Sequence, residues 1–252
     1  MALMREYVAE ASDSNPHRSC NFCPFHGICA FARDKHPGSV ADRVFLRNDS
    51  FLRPSLNSVL FIRHGFAVSY ANESNGNLQV YTVIGRGGSI GETSVLSAGD
   101  SDDYCLAATD LVTCSISSYA FLDALRQNPG LLKEVILASS VNTINFGFMS
   151  WMHQGKTVRD KIERFISFYY AREAKVSSDS FIIPISHATL ALVVGSERAT
   201  VSKALGRMAE NGYLVLRQNA IVVKVTPWAD SITAARYLVD AQEKMCTASL
   251  II

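Results

Sequence analysis

The chain has 252 residues, enough for two modest domains that each bury a core. Its 24 Lys+Arg stand against 23 Asp+Glu, a formal net charge of +1, so no global basic field marks a nucleic-acid partner and such binding must rest on a local patch and on shape. Residues 1–19 hold no apolar run fit for a signal peptide, and the most apolar stretch, Leu131 to Met152, is broken by Lys133, Glu134, Asn142 and Asn145, which excludes a good membrane span.

A soluble cytoplasmic protein without a membrane partner is therefore expected. Its six cysteines should be reduced, which points to a metal site or redox chemistry and away from disulfides. Residues 1–35 form a cysteine-rich segment. After a polar start comes Cys20-Asn-Phe-Cys23-Pro-Phe-His-Gly-Ile-Cys29, a C-x2-C-x5-C run read as a small loop on which three sulfurs converge. Soft thiolates select zinc or iron–sulfur clusters, and a lone triplet suits zinc less well than paired modules do. His26 inside the run is read as solvent-facing.

Residues 36–128 turn to β: short apolar runs such as "SVLFIRHGFAVSY" and "YCLAATDLVTCSIS" alternate with Gly-, Asn- and Asp-rich turns, the pattern of a small barrel or jelly roll. "ANESNGN" reads as a hairpin tip. "GRGGSIGE" reads as a structural turn, a phosphate cradle being weakly signalled without a following helix. Tyr119 to Gln127 is a short helix. Residues 129–156 carry a long one, starting at Pro129 and stopped by Gly155, apolar nearly all round, so it must be covered on more than one face. A second copy of itself is the economical cover, with Val135, Asn142, Phe146 and Met149 at the contact.

Residues 157–226 begin with an amphipathic helix over Thr157 to Arg172 and continue into "ISHATLALVVGSERATVSKALGRMAENGYLVLRQNAIVVKV". This predicts two short helices around a Gly195 turn, Ser196 capping the second helix, Asn211-Gly212 closing it, and a β-hairpin: a winged helix-turn-helix. The second helix leaves Arg198, Thr200, Ser202, Lys203 and Arg207 to face outward, the donors that base edges and phosphates require, with Ala199 beside them at the candidate DNA interface. From Pro184 to Val225 there are five Lys/Arg against two Glu, a local net of +3. Residues 227–252 read as a further helical tail with Cys246. No nucleophile–base pair, metal-hydrolase spacing or dinucleotide motif suggests an enzyme.

This order, α+β with an N-terminal β-roll (jelly roll) sensor domain, a long dimerisation helix and a C-terminal winged helix-turn-helix, resembles the Crp–Fnr family of transcription regulators. The cysteine triplet resembles its oxygen-sensing branch, the fumarate-and-nitrate-reduction regulator. The resemblance implies a 4Fe–4S cluster on Cys20, Cys23, Cys29 and, in "ATDLVTCSISSYAFLDAL", Cys114, with Cys105 left aside. It implies a homodimer on a palindromic double-stranded DNA site with half-sites roughly 10 base pairs apart, RNA polymerase as a further partner, and oxygen as the signal. The nucleotide-gripping Gly-Glu pair survives as Gly91-Glu92. The Arg-Ser place falls on Ser101-Asp102, followed by Asp103, and carboxylates repel a phosphate, so cyclic nucleotide binding is not expected. In the recognition helix Ala199 stands where the family has Glu, which leaves its usual half-site open at that base pair. Phe146 matches an acidic position of the prototype's dimer helix, so the cluster-free protein is expected to stay dimeric. The alternative keeps the fold without a cluster, controlled by a small organic effector in the β-roll or by thiol oxidation.

Overall fold

The structure, a computed structural model, describes residues 23–52, 57–72, 78–97, 104–173 and 180–224. Cys20, Glu73 to Asn77, Ser101 to Asp103, the 174–179 connection and the tail with Cys246 lie outside them, and so do the expectations placed on those residues.

Helix α1 (His26–Lys35) opens the described chain and starts inside the cysteine run. The expected loop is therefore a helix from its fourth-last residue on, because Phe25, Ile28 and Ala32 recur at helical spacing and all bury. Strands β1 (Val40–Phe45), β3 (Ser58–His64), β6 (Ser89–Ile90) and β8 (Leu111–Ser117) form one antiparallel sheet in the order β1-β8-β3-β6. A second sheet runs β2-β7-β4-β5, from β2 (Ser50–Leu52), β4 (Ala67–Asn72), β5 (Leu78–Ile84) and β7 (Tyr104–Ala107). Leu60, Ile62, Ala67, Ile84, Cys105 and Leu111 fill the space between the sheets.

Strand β3 is buried on both faces. Its inward Leu60 and Ile62 alternate with Val59 and Phe61, which pack outward against α1 and α3 (Ser118–Gln127). That explains its unbroken apolar run, since a strand covered on both sides has no polar alternation. The glycine-rich turn is followed by a helix after all, the short α2 (Glu92–Ser97).

After a 3-10 turn at Pro129–Leu131 comes α4 (Leu132–His153), 22 residues and so about 33 Å long. Then follow α5 (Val158–Glu173), β9 (Ser180–Ile183), α6 (His187–Val194), α7 (Arg198–Glu210), β10 (Leu214–Arg217) and β11 (Ala220–Lys224). A third sheet, β10-β11-β9, backs α6 and α7. One apolar core runs from Phe66 and Val68 of the roll through Phe148 and Met152 of α4 and the aromatic face of α5 to Leu190, Val201 and Leu205. The fold is thus the expected α+β arrangement of β-roll, long helix and winged helix-turn-helix. No helix among the described residues is long and apolar enough to cross a membrane.

Candidate functional site

Two groups of residues carry chemistry, one at each end of α4. At the first end a cavity of about 400 Å³ opens between α1 and the outer face of the β3–β8 pair. Cys23, Cys29 and Cys114 all line it, with Phe25, Phe61 and Ile116 as its apolar wall. The thiols come from two directions: Cys23 and Cys29 straddle the start of α1, and Cys114 is paired with Phe61 in the sheet. Cys105 is on β7, wholly buried between the sheets and away from this cavity. No disulfide joins the described cysteines. Among the described residues no three His, Cys, Asp or Glu side chains are close enough to hold a single metal ion.

Two charged side chains that the sequence did not single out frame Cys114. Arg63 Nη1 lies 3.9 Å from the Cys114 sulfur and donates to Asp42 Oδ1 at 3.1 Å, while the Cys114 thiol donates to the same Asp42 oxygen at 3.5 Å. Burial pushes the Cys114 thiol up to about 12, Arg63 pulls it down and Asp42 pushes it up again. Without a positively charged ligand this residue is a thiol at neutral pH. A bound cation would reverse that balance, because a coordinating thiol is deprotonated outright.

The donor set fits an iron–sulfur cluster. Thiolates are its ligands. The volume lies in the range of small-ligand sites, roughly 300–1,000 Å³, far above the ~30 Å³ of one water. A guanidinium beside the Cys114 sulfur suits an anionic group.

The same end of α4 holds α1 directly. Glu134 accepts from the Gly27 amide at 2.8 Å and the Ile28 amide at 2.9 Å. A Cβ on Gly27 would lie 2.5 Å from Glu134 Oε1, so only glycine allows this approach. Burial pushes the Glu134 carboxyl above the usual carboxylate range, and the two amides pull it back.

The faces of α4 differ from the sequence expectation. Val135 and Met149 are buried in the chain's own cores, against α1 and α5 respectively. Asn142 donates to Glu92 Oε1 at 2.7 Å and to the Ser89 carbonyl at 3.1 Å, tying α4 to the glycine-rich turn. Three of the four residues assigned to a partner therefore face inward. Phe146 alone faces out, 52% exposed, on a stripe with Leu132 and Ile136 and with Ser139, Thr143 and Ser150 between and beyond them. A helix apolar on both sides gives a periodicity that cannot say which stripe meets the roll. Glu92 is itself buried with its carboxylate committed to Asn142.

At the other end, Gly195 takes φ 60°, the left-handed conformation that lets α6 turn into α7. Ser186 caps α6 by accepting from the Thr189 amide at 3.0 Å. Ser196 does not cap α7. Glu197 occupies that place without a side-chain bond, because the turn runs one residue longer than its serine suggests. Asn211 closes α7, and Gly212 takes φ 75°. Arg198, Ala199, Thr200, Lys203 and Arg207 are exposed on α7. Ser202 is half-buried and hydrogen-bonded to His187 Nδ1 at 3.0 Å, bracing α7 on α6. Burial lowers the His187 pKa, helped by the nearby Arg198 charge. The roll also reaches this domain: Arg47 Nη1 donates to the Asn219 carbonyl in the wing turn at 2.8 Å, and Asn48 Oδ1 accepts from Thr189 Oγ1 at 3.2 Å.

Known proteins repeat this architecture. Residues 161–226 match the Crp-like helix-turn-helix domain. The chain is 26% identical over 155 residues to a probable transcriptional regulator, flp, of Lacticaseibacillus casei, a match covering 60% of this chain and 68% of that protein. Its fold is similar to that of the regulator CLP of Xanthomonas campestris, described as c-di-GMP responsive, with a TM-score of 0.59 and 17% identity over 77% of this chain and 99% of that one. It is similar also to FixK2 of Bradyrhizobium japonicum, with a TM-score of 0.58 and 14% identity over 79% and 96%.

Proposed function

We propose that this chain, a DNA-binding transcription regulator of the Crp/FNR family, responds to oxygen or redox state through a 4Fe–4S cluster held by Cys20, Cys23, Cys29 and Cys114. The observation that carries the proposal is the single cavity lined by Cys23, Cys29 and Cys114, thiols from elements far apart in the chain. Cys20, three residues before Cys23 in the sequence, completes the set as the fourth thiolate. The chemistry such a cluster supplies when bound is reactivity toward oxygen.

This chain's residues supply the rest. As a ligand Cys114 would lose to solvent the thiol proton it now directs at Asp42, and Arg63 would stabilise the thiolate with an N–H toward sulfur. Phe25, Phe61 and Ile116 give the sulfurs an apolar wall on one side. The outward stripe of α4 at Leu132, Ile136 and Phe146 serves a second copy of the chain. Its 132-136-139-143-146-150 spacing alternates four and three, the seam of paired helices. Two copies place two α7 helices on successive major grooves of a palindrome, with Arg198, Lys203 and Arg207 meeting bases and phosphates.

A second reading, an organic effector in the same cavity, is favoured by its apolar wall and volume. The thiol-oxidation variant is disfavoured at Cys114, because thiolates, not thiols, are the reactive form. Iron and sulfide analysis of anaerobically purified protein separates the readings: near-equal iron and sulfide supports the cluster, and neither metal nor chromophore supports the effector.

A further inference from the structure

Cys23 and Cys29 bracket the first turn of α1, and the amides of that turn end on a side chain more than a hundred residues away. Helix N-termini leave their first N–H groups unsatisfied and carry partial positive charge, so a carboxylate there is favourable. Phe25, at the N-cap position of α1, has no side-chain acceptor to offer. Glu134 fills that role from α4, binding two consecutive amides in a nearly buried contact that excludes even a methyl group on Gly27.

The neighbours of Glu134 divide between the two faces of α4. Val135 and Ala138 join the core shared with Phe25, Ile28 and Ala32, whereas Leu132 and Ile136 begin the outward stripe. A shift of the turn carrying Cys29 therefore acts on α4 where that stripe starts. The core part of the α1–α4 contact, through Val135, Ala138 and Leu131, is apolar and non-directional, whereas a two-point charged hydrogen bond fixes position.

We infer that Glu134 is the positioning residue through which the state of the cysteine pocket reaches the long helix, and so the DNA-binding form. The inference rests on the cluster reading and names the contact by which the signal leaves the pocket.

The experiment uses the full chain as wild type, Glu134→Gln, Glu134→Ala and Gly27→Ala. Iron and sulfide per chain are measured first, then affinity for a selected palindromic DNA in the iron-loaded and iron-free forms. In wild type the loaded form should bind more tightly by a factor within the usual range of coupled sites, about 5- to 150-fold. Glu134→Ala should retain iron yet bring that ratio close to one. Gly27→Ala, which pushes the carboxylate away without removing it, should do the same, and Glu134→Gln should fall between. Stability alone does not move a ratio of two affinities of one variant. An unchanged ratio in Glu134→Gln and Gly27→Ala overturns the inference, also if Glu134→Ala fails to fold or to hold iron. Wild-type protein with no iron and no sulfide overturns the cluster reading itself, before any substitution is made.

Discussion

The cysteine pocket draws its parts from α1, β1, β3 and β8, whereas the winged domain is assembled from neighbouring residues over 180–224. In the pocket, charges and thiols meet across the β-roll, and each depends on the others: Asp42 holds Arg63 and the Cys114 thiol together. In the winged domain, local devices fix each element, such as Ser186 on α6 and Gly195 at the turn. A site of distant parts fails as a unit when one part is removed, whereas a locally built surface loses its contacts one at a time. The two regions should therefore respond to substitution in different ways.

The largest effect is expected in the pocket. Cys20→Ser, Cys23→Ser, Cys29→Ser and Cys114→Ser should each abolish iron retention. Cys105→Ser should keep it, but lower unfolding free energy by about 1–3 kcal/mol because a hydroxyl would replace a fully buried thiol. Chemical denaturation with iron assay separates the two outcomes, and iron loss in Cys105→Ser with retention in Cys114→Ser would reverse the ligand assignment.

Next comes the helix that joins the regions. Phe146→Asp places like charges in the stripe and should weaken dimerisation by a few kcal/mol, in the range of partly buried charge pairs. Sedimentation of the iron-free wild type should still find a dimer at micromolar concentration, since Phe146 offers no repulsion. A clean monomer there would return the signal to dissociation.

On the winged side, Lys203→Ala and Arg198→Ala should each cost roughly 1–3 kcal/mol of DNA affinity where they read a base edge, and their effects should add. A selection that returned no two-fold symmetric motif would contradict the paired α7 helices.

The smallest effect is a pH dependence. His187 has a pKa below its ordinary 6.5, so it stays neutral in the fold at pH values where the unfolded chain already takes up a proton. Stability of the winged domain should be unaffected above pH 6.5 and fall as pH drops below it. His187→Gln should flatten that slope, as followed by thermal melts across pH.

What the sequence made legible follows the same division. The turn at Gly195, the closure at Asn211 and the exposed donors of α7 are encoded within a few residues of one another, where helical spacing and capping chemistry act. The position of the cap at Glu197 instead of Ser196 depends on a turn length that composition does not state. The β-roll was readable from period-two runs, and β3 from its continuous apolar stretch. The Arg63–Asp42–Cys114 cluster and the Glu134 bond to α1 were not, because long-range polar contacts leave no local pattern. Gly27 is the one local hint, a glycine inside a helix whose reason lies on another helix. The face of α4 assigned to a second copy differs for a related reason: Val135, Asn142 and Met149 share a heptad face with one another, but Val135 and Met149 on it meet the chain's own cores and Asn142 bonds Ser89 and Glu92.

The central claim is that three described thiols and Cys20 hold one iron–sulfur cluster that sets DNA binding. It is tested most directly by the visible absorption of protein purified without oxygen, followed during exposure to air alongside binding to a palindromic DNA. The account predicts a brown chromophore with iron and sulfide in near-equal amounts, bleaching in air as DNA affinity falls. A colourless protein whose DNA binding is indifferent to air would contradict it.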